Sequence, residues 1–494
     1  MNYIELNTQQ FEKATHMTLT DFLAQPQGAD YLILDCRTVT LAEVSNLVDA
    51  VRSRWIVYGY ATVEQTELLQ KWGHFDLTEI WEQANFIEEL DWIFDELLFT
   101  QGWNLAPDEA AILSDEFTGV IERHGRYELF FEHQADAKEL LTTFEPAIKN
   151  WMFKALVRPY RRFDKAGKYW LEFDCELDDS MTITYVFTQY DKSENILRKE
   201  VFDVREKSVL FEKLAETAGL DVAIFVSGQG KAKIGKVWTY KYKYGLGRFF
   251  AGDEKWTAEN GERIDSYYIP GKDQRKLIVG FSGALNEVPQ YERMSMAKFG
   301  FPVLLFADVR SRGGVFQLGR NLDERYEKSL KAIIDEKLAE NGLSRNDLIF
   351  AGWSMGSFSA SYYGVTMEAG HVISCKTLVN VGKITSDTWL IYKMDGAMID
   401  AREYLLGRLD KADDEKLDSL LPNAVRQHDI SKTNFYLFMM NDDELDRNVA
   451  FYEQVVRPQA KSLIIDKYDG FHAGRVREQN AFIMGHIQKI KDEL

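Results

Sequence analysis

A chain of 494 residues, 45% hydrophobic and 28% charged, exceeds what one hydrophobic core can serve, and this composition predicts a soluble protein of two or three domains. A formal charge of −19 opposes association with a long phosphate backbone, which makes nucleic acid a poor partner, and no apolar run approaches the length of a membrane span. Three widely spaced cysteines, Cys36, Cys175 and Cys375, form neither a metal-type pair nor a disulfide framework, so a reducing compartment and no bound metal are expected.

The N-terminal stretch MNYIELNTQQ lacks the basic and then apolar order of a secretory leader, which predicts a cytoplasmic protein, with a peripheral place at the inner face of the membrane as a variant of that reading. From 30 to 60 the pattern is strand, helix, strand: Tyr31–Leu34, an amphipathic stretch over 41–51, then Trp55–Tyr58 closed by Gly59. Helical patterns follow at 62–72 and 77–99, so residues 1–148 are expected to form a small βαβ-like α/β domain without a Gly-rich phosphate loop. Over 149–250 the period changes to two, in YWLEFDCEL, MTITYVFTQYD, DVAIFVSG and KVWTYKYKY, which predicts a β-sandwich. Trp238, Tyr240, Tyr242 and Tyr244 fall on one face of the last of these strands, either as a platform for sugar rings or as half of the sandwich core.

The stretch GLGRFFAGDEKWTAENGERID, rich in Gly and charge, reads as a linker. Beyond it, in the domain assigned to 251–494, apolar runs at 277–281, 302–308, 347–352, 376–382, 434–440 and 462–466 alternate with helical patterns. Such alternation predicts a mostly parallel sheet with helices on both faces. A final helix is expected from Gly474, with Phe482, Ile483, His486, Ile487 and Ile490 on one face. The terminal KDEL is then the charged end of that helix rather than a retention signal.

Chemistry concentrates in this last region. Gly352-Trp353-Ser354-Met355-Gly356 lies between the strand DLIFA and a helical stretch, the context of a nucleophile elbow, where glycines allow a turn too tight for β-carbons and the helix N-terminus faces a developing oxyanion. Such a serine needs a base and an acid, and the α/β-hydrolase fold supplies them after late strands. NFYLFMM runs into Asp442-Asp443-Glu444, and SLIID runs toward His472, the one histidine in the loop after the last strand. Ser354 and His472 are therefore the candidate nucleophile and base. Any of the three carboxylates can hold the imidazole; Glu444 ranks first and Asp443 second. The oxyanion donors are expected to be the backbone N–H groups of Met355 and, in the loop after LIVGF, Gly283. Asp308, Arg310 and Arg312-Gly313-Gly314 follow the next strand and either line the substrate side or form a solvated loop. The helical insert at 385–425 lies where this fold carries a lid.

LIVGFSG, FAGWSMGSFSA, MMNDDELDRNV and DGFHAGR, in that order and spacing, resemble the acetyltransferase subunit of the accessory Sec system of Gram-positive bacteria, the accessory secretory protein two family. The resemblance implies a cytoplasmic serine O-acetyltransferase that modifies N-acetylglucosamine on serine-rich repeat glycoproteins. It also implies a part in their export, with companion accessory secretory proteins one and three and a dedicated motor ATPase, and a triad of Ser354, Glu444 and His472. No cofactor is expected, and the acyl donor is left open. Two other functions fit the same residues: a carboxylesterase-type hydrolase, and a non-catalytic subunit that binds glycan or adhesin.

Overall fold

The computed structural model describes residues 3–7, 9–25, 31–51, 55–71, 74–88, 90, 102–105, 111–115, 117–124, 128–135, 137–144, 166–243, 247–250, 252–284, 291, 294–311, 313–392, 397–407 and 413–494. The first unit is a parallel sheet of β1 (Tyr3–Leu6), β2 (Thr15–Met17), β3 (Tyr31–Asp35), β4 (Trp55–Gly59) and β5 (Phe75–Asp76), in the order β2-β1-β3-β4-β5. Helices α1 (Leu19–Ala24), α2 (Leu41–Ala50) and α3 (Val63–Lys71) connect its strands. β3 is buried at every position because α1, α2 and α3 cover one face of the sheet and the segment carrying Leu77, Ile80, Trp81 and Phe86 covers the other. α2 starts at a capping box between Thr40 and Glu43 and buries Val44, Leu47 and Val48, spaced three and one apart as an amphipathic helix requires. Of the helix expected at 77–99, Thr78–Ile80 forms a 3₁₀ turn, residues 86–88 and 90 are helical, and residues 91–99 lie outside the described residues.

The β-sandwich is present but begins earlier than 149. Its sheets are β13-β12-β15-β10-β7 and β14-β11-β16-β9-β8, with β6 also on β16. The four strands legible in the sequence are β11 (Gly167–Leu177), β12 (Thr182–Tyr190), β15 (Gly219–Ser227) and β16 (Gly230–Lys241). β13 (Ile196–Asp203) and β14 (Ser208–Lys213) complete that half. The short strands β6 (Gly102–Leu105), β7 (Ala111–Leu113), β8 (Val120–His124), β9 (Glu128–His133) and β10 (Glu139–Phe144), assigned to the first domain from sequence, pair instead with the later ones: β9 with β16, and β10 with β15. Strands of three to six residues show too few alternations to reveal their period; β7 and β8 pair locally with β10 and β9, whereas β6, β9 and β10 find partners far along the chain, as in Asn104 with Trp238, Phe130 with Lys233 and Thr142 with Ile224. The 148/149 boundary itself falls outside the described residues.

The third unit is an eight-stranded sheet in the order β17-β18-β20-β19-β21-β22-β23-β24, with β18 alone antiparallel to its neighbours. Its strands are β17 (Asp253–Thr257), β18 (Arg263–Ile269), β19 (Leu277–Phe281), β20 (Val303–Ala307), β21 (Leu348–Trp353), β22 (His371–Cys375), β23 (Asn434–Met440) and β24 (Ser462–Tyr468). Numbered within the unit, the order is one, two, four, three, five, six, seven, eight, which is that of an α/β-hydrolase. α4 (Glu324–Glu340) and α5 (Met355–Thr366) cover the sheet. α6 (Val381–Tyr392), α7 (Ala397–Leu406), α8 (Asp414–Asp418) and α9 (Leu420–Gln427) form the insert, and α10 (Val476–Asp492) buries Phe482, Ile483, Ile487 and Ile490. Among the described residues no helix is long and apolar enough to cross a membrane.

Two expectations fail here for identifiable reasons. The strand placed at 376–382 is β22, five residues earlier, because Lys376 turns to φ 52° and the amides beyond it leave the sheet. Leu378 N–H donates to Ser357 Oγ at 3.0 Å, and those of Val379 and Asn380 to the Asp446 carboxylate at 2.7 and 2.8 Å. The supposed linker at 245–265 contains β17 and part of β18, and its Arg248, Lys255, Arg263 and Asp265 are paired rather than solvated. Arg248 bridges Glu172 of the sandwich at 2.9 Å and Asp265 of the third unit, while Lys255 meets Glu172 at 3.1 Å. Beside them Trp238 and Tyr240, each 4% exposed, pack with Phe249, Phe250 and Tyr267, so these two rings are buried against the third unit and are not part of the sandwich's own core. Tyr242 donates to Glu79 Oε1 at 2.7 Å, and Tyr244 lies outside the described residues.

Burial would raise the Glu172 carboxyl, but Arg248, Arg263 and Lys255 outweigh it and hold the group at about 2, against an ordinary 4.5. Because the folded value is depressed, the associated stability is complete above about pH 4.5 and is lost as pH falls toward 2. The loss is on the order of 3 kcal/mol. Melting curves from pH 6 to pH 2 are expected to show a steeper fall of Tm below pH 4.5 for the wild type than for Glu172→Gln, whose Tm is already lower at pH 7. Parallel slopes for the two proteins would show that this carboxylate does not couple the units.

Candidate functional site

β21 is buried throughout and passes into α5 with only Ser354 between them. Ser354 takes φ 52° and ψ −125°, a conformation that costs a non-glycine residue about 1–3 kcal/mol and persists only where its surroundings fix it. The flanking glycines show how. A β-carbon on Gly352 would sit 2.0 Å from the Gly356 carbonyl oxygen, and one on Gly356 would sit 2.4 Å from Phe281 O and 2.6 Å from Ser282 O. The turn is thus clamped between its own helix and the end of β19. Ser354 N–H donates to Cys375 O at 3.0 Å, and the buried Ser357 hydroxyl donates to Ser354 O.

His472 stands in the loop after β24, and its Nε2 lies 2.8 Å from Ser354 Oγ. Nδ1 lies 2.9 Å from Asp443 Oδ2 in the turn after β23. A carboxylate only accepts, so Nδ1 carries the proton toward Asp443 and Nε2 is left to accept from the serine hydroxyl. The other Asp443 oxygen, Oδ1, accepts Leu445 N–H at 2.9 Å and Asp446 N–H at 3.3 Å, so backbone donors orient the carboxylate. Asp443 and His472 are buried, 3% and 7% exposed, whereas Ser354 is partly open to solvent. The His472 loop is tied to the acid turn by Asn441 Nδ2 donating to Asp469 Oδ1 at 2.7 Å and Asp442 N–H to Gly470 O at 3.3 Å.

The acid ranked first from sequence is therefore corrected. Glu444 is placed on the main chain of His472, its Oε2 accepting the backbone N–H at 2.9 Å. The second-ranked Asp443 occupies the ring position. Neighbouring residues in a tight turn point different ways, and the one aimed at Nδ1 is set by backbone geometry that sequence order does not encode. Gly283 is brought against the elbow, where a β-carbon on it would lie 3.1 Å from Trp353 Nε1 and 3.6 Å from Trp353 O. Met355 opens α5, so its backbone amide is at the helix N-terminus beside Ser354.

Asp308 and Arg310 are interior braces rather than substrate-facing or solvated groups. Asp308 Oδ2 accepts Val315 N–H at 3.0 Å and Gln317 N–H at 2.9 Å, and Arg310 lies 3.6 Å from the centre of the Tyr326 ring and bridges Glu262 at 2.9 Å. Arg312 lies outside the described residues, and Gly314 packs on the Met355 sulfur. In the insert, Ala401, Tyr404, Leu405, Leu417 and Leu421 share a core with Phe316, Leu318, Met355 and Phe358, so it sits over the elbow helix. The side chains of 387–397 lie outside the described residues.

Sequence reasoning missed Asp446 and Asn448. Asp446 holds Val379 and Asn380, and Asn448 Nδ2 donates to Thr377 O at 2.7 Å, which binds the acid turn to the strand end beside the nucleophile. Nothing in an acidic run such as DDELDRN distinguishes these positions from solvated ones. A cavity of about 1070 Å³ lies elsewhere, between the first and third units among His74, Asp76, Glu254 and Tyr268, and none of Ser354, Asp443 and His472 lines it.

Strand order, elbow and relay define a protein of the α/β-hydrolase fold with a serine–histidine–aspartate array after its fifth, eighth and seventh strands. The accessory secretory protein 2 model, described as accessory Sec system GspB-transporter, matches residues 35–490, and the chain belongs to that family. It is similar to the accessory secretory protein 2 of Streptococcus gordonii, 28% identical over 311 residues, and to that of Staphylococcus aureus, 26% identical over 346 residues. The matched stretches cover 61% and 69% of this chain and span 59% and 64% of the length of those relatives. Among solved structures, a chain of the Glycosylation Associate Protein (Gap123) complex from Streptococcus agalactiae shares the fold with a TM-score of 0.77 at 21% identity, over 99% of this chain and 98% of that one.

Proposed function

We propose that this protein is a serine-dependent O-acyltransferase that acetylates N-acetylglucosamine on serine-rich repeat glycoproteins as part of the accessory Sec system. The observation that carries the reading is the relay from Ser354 Oγ through His472 to Asp443, with links of 2.8 and 2.9 Å, in a member of an accessory Sec family. The serine proton passes to His472 Nε2 as Oγ attacks the carbonyl carbon of the acyl donor. Backbone N–H groups of Met355 and Gly283 stabilise the tetrahedral oxyanion, which collapses to acyl-Ser354 as the leaving group takes the proton from His472. In the second half-reaction His472 removes the proton of a sugar hydroxyl, whose oxygen attacks the acyl-serine ester; the acyl sugar leaves and Ser354 regains its proton. Transfer prevails over hydrolysis when the acceptor is held at the site, since positioning is worth many powers of ten in effective concentration. Companion accessory secretory proteins one and three and the motor ATPase are the partners in this reading, which is supported by the family and by a fold neighbour that was solved as a complex.

Glycan mass spectrometry of the co-expressed serine-rich glycoprotein tests it. Increments of about 42 Da per acetyl group on the sugars are expected with the wild type and none with Ser354→Ala. Equal increments with both proteins would refute transfer through this serine, and none with either would favour hydrolysis or a structural role.

A further inference from the structure

The cavity of about 1070 Å³ between the first and third units lies where two sheets end. On one side is β5, the last strand of the first sheet, with Phe75 and Asp76; on the other is β17, the edge of the third, with Asp253 and Glu254. Lys272 Nζ donates to Val48 O at 3.2 Å and Asp49 O at 2.9 Å, and Tyr242 donates to Glu79 Oε1 at 2.7 Å, so ties between units fix the separation of the walls.

Two polar side chains of the wall keep hydrogen-bonding capacity that the fold does not use. His74 is 8% exposed, and its Nδ1 accepts the backbone N–H of Ile56 at 3.2 Å, so Nε2 carries the proton. Burial and the charge of Lys272 push the ring down to about 4, which keeps it neutral near pH 7. Among the described residues nothing accepts from Nε2–H. Glu254 is its complement: neither carboxyl oxygen accepts a hydrogen bond among the described residues, and Oε2 is buried. Burial raises this carboxyl, Lys337 opposes the rise and Glu340 adds to it. Unpartnered buried polar groups are costly to keep, and a donor and an acceptor of that kind on one cavity call for a ligand that serves both.

The chemistry of the wall selects that ligand. Among the described lining residues five carboxyl groups stand against two lysines, which repels an anion. An ammonium group suits the carboxylates but has nothing to accept the His74 proton. A hydroxyl donates and accepts at once, and Phe75 and Tyr268 offer aromatic rings to the C–H face of a pyranose. The geometry points to a second saccharide site here, separate from Ser354, that holds one sugar of a multiply glycosylated substrate while another is at the serine. The choice of N-acetylglucosamine as its sugar rests on the acyl-transfer reading above. Two sites on one chain raise the effective concentration of a repetitive substrate without tighter binding at either.

Ring-nitrogen NMR of the full chain carrying isotope-labelled histidine tests the site, because His74 and His472 report the cavity and the serine separately. The His74 signal is assigned by its loss in His74→Asn, whose amide oxygen still accepts the Ile56 N–H but which lacks the Nε2 donor. Titration with N-acetylglucosamine is expected to move the His74 Nε2–H signal with a midpoint on the order of 1–10 mM, and Glu254→Ala to raise that midpoint about tenfold. Inorganic phosphate and spermidine are expected to leave the signal in place. A His74 signal unmoved by about 100 mM sugar, or moved with the wild-type midpoint in Glu254→Ala, overturns the site. A signal that moves with spermidine or phosphate and not with sugar overturns it equally. If Glu254→Ala does not fold, Gln274→Trp, a bulky change at an exposed lining position, takes its place with the same expected rise. Movement at His472 alone, with acetyl increments on the glycoprotein, sinks this site and leaves acyl transfer standing. Movement at His74 with no increments sinks acyl transfer and leaves the saccharide site.

Discussion

Ser354→Ala is expected to lower kcat on an activated acetyl ester by about a million-fold, and Asp443→Asn by about ten-thousandfold, with both proteins melting near the wild-type temperature. The ranking follows from what each atom does. Without Oγ no acyl-enzyme forms, and only the oxyanion donors and binding remain. Without the Asp443 charge the serine is intact, but an asparagine can present its NH₂ to Nδ1, which favours the tautomer with its proton on Nε2, the wrong nitrogen to accept from Ser354. The Oδ1 contacts to Leu445 and Asp446 can survive in asparagine, so the turn should hold. Steady-state hydrolysis of p-nitrophenyl acetate with matched thermal melts measures both effects. An Asp443→Asn enzyme within tenfold of wild type would return the acid's role to another carboxylate, Glu444 first.

Gly356→Ala is expected to destabilise the third unit by about 3 kcal/mol, roughly 6–12 °C in Tm for a unit of this size, and to abolish esterase activity. The added methyl would stand 2.4 Å from Phe281 O, 2.6 Å from Ser282 O and 2.8 Å from Phe281 C. All three are main-chain atoms at the end of a central strand and cannot rotate away. Relief comes only by separating α5 from β19, which withdraws the Gly283 loop from Ser354. Gly485→Ala is the control. That glycine is exposed in α10 with nothing within 4 Å of an added β-carbon, so alanine there should raise stability by about 0.5–1 kcal/mol. Calorimetry on the three proteins checks the pair; an unchanged Tm in Gly356→Ala would mean that the elbow tolerates a wider approach than its contacts indicate.

Both predictions depend on residues that differ in how visible they were. Ser354 and its glycines are legible in sequence because a single local turn imposes all of their constraints: the strand, the helix and the forbidden β-carbons lie within a few residues of one another. His472 is legible because the fold fixes the order of strands and only one histidine follows the last of them. The apolar runs that became β19, β20, β21 and β23 were readable for a similar reason, since a strand buried on both faces must be continuously apolar.

What the tertiary structure decided is what depends on groups distant in the chain. Whether Asp443 or Glu444 faces the imidazole turns on the direction of each side chain in a tight turn, and both directions satisfy the same local composition. The strand expected at 376–382 is displaced because amides there are taken by Ser357 and Asp446, one about twenty and the other nearly seventy residues away. The same holds for Arg248, which looks like a linker charge until Glu172, 76 residues earlier, is placed beside it. Trp238 and Tyr240 read as half of the sandwich core more readily than as a sugar platform, but neither reading names their partners, because a strand shows which residues share a face and not what covers that face. The sequence by itself thus determined the class of fold and singled out Ser354 and His472, which the structure brings within 2.8 Å of each other, through short-range sterics and strand order. Tertiary packing chose the acid within the third unit, the sandwich boundary within the sandwich and the buried ion cluster between the two, because each is settled by desolvation and hydrogen bonding among segments brought together only when the chain folds.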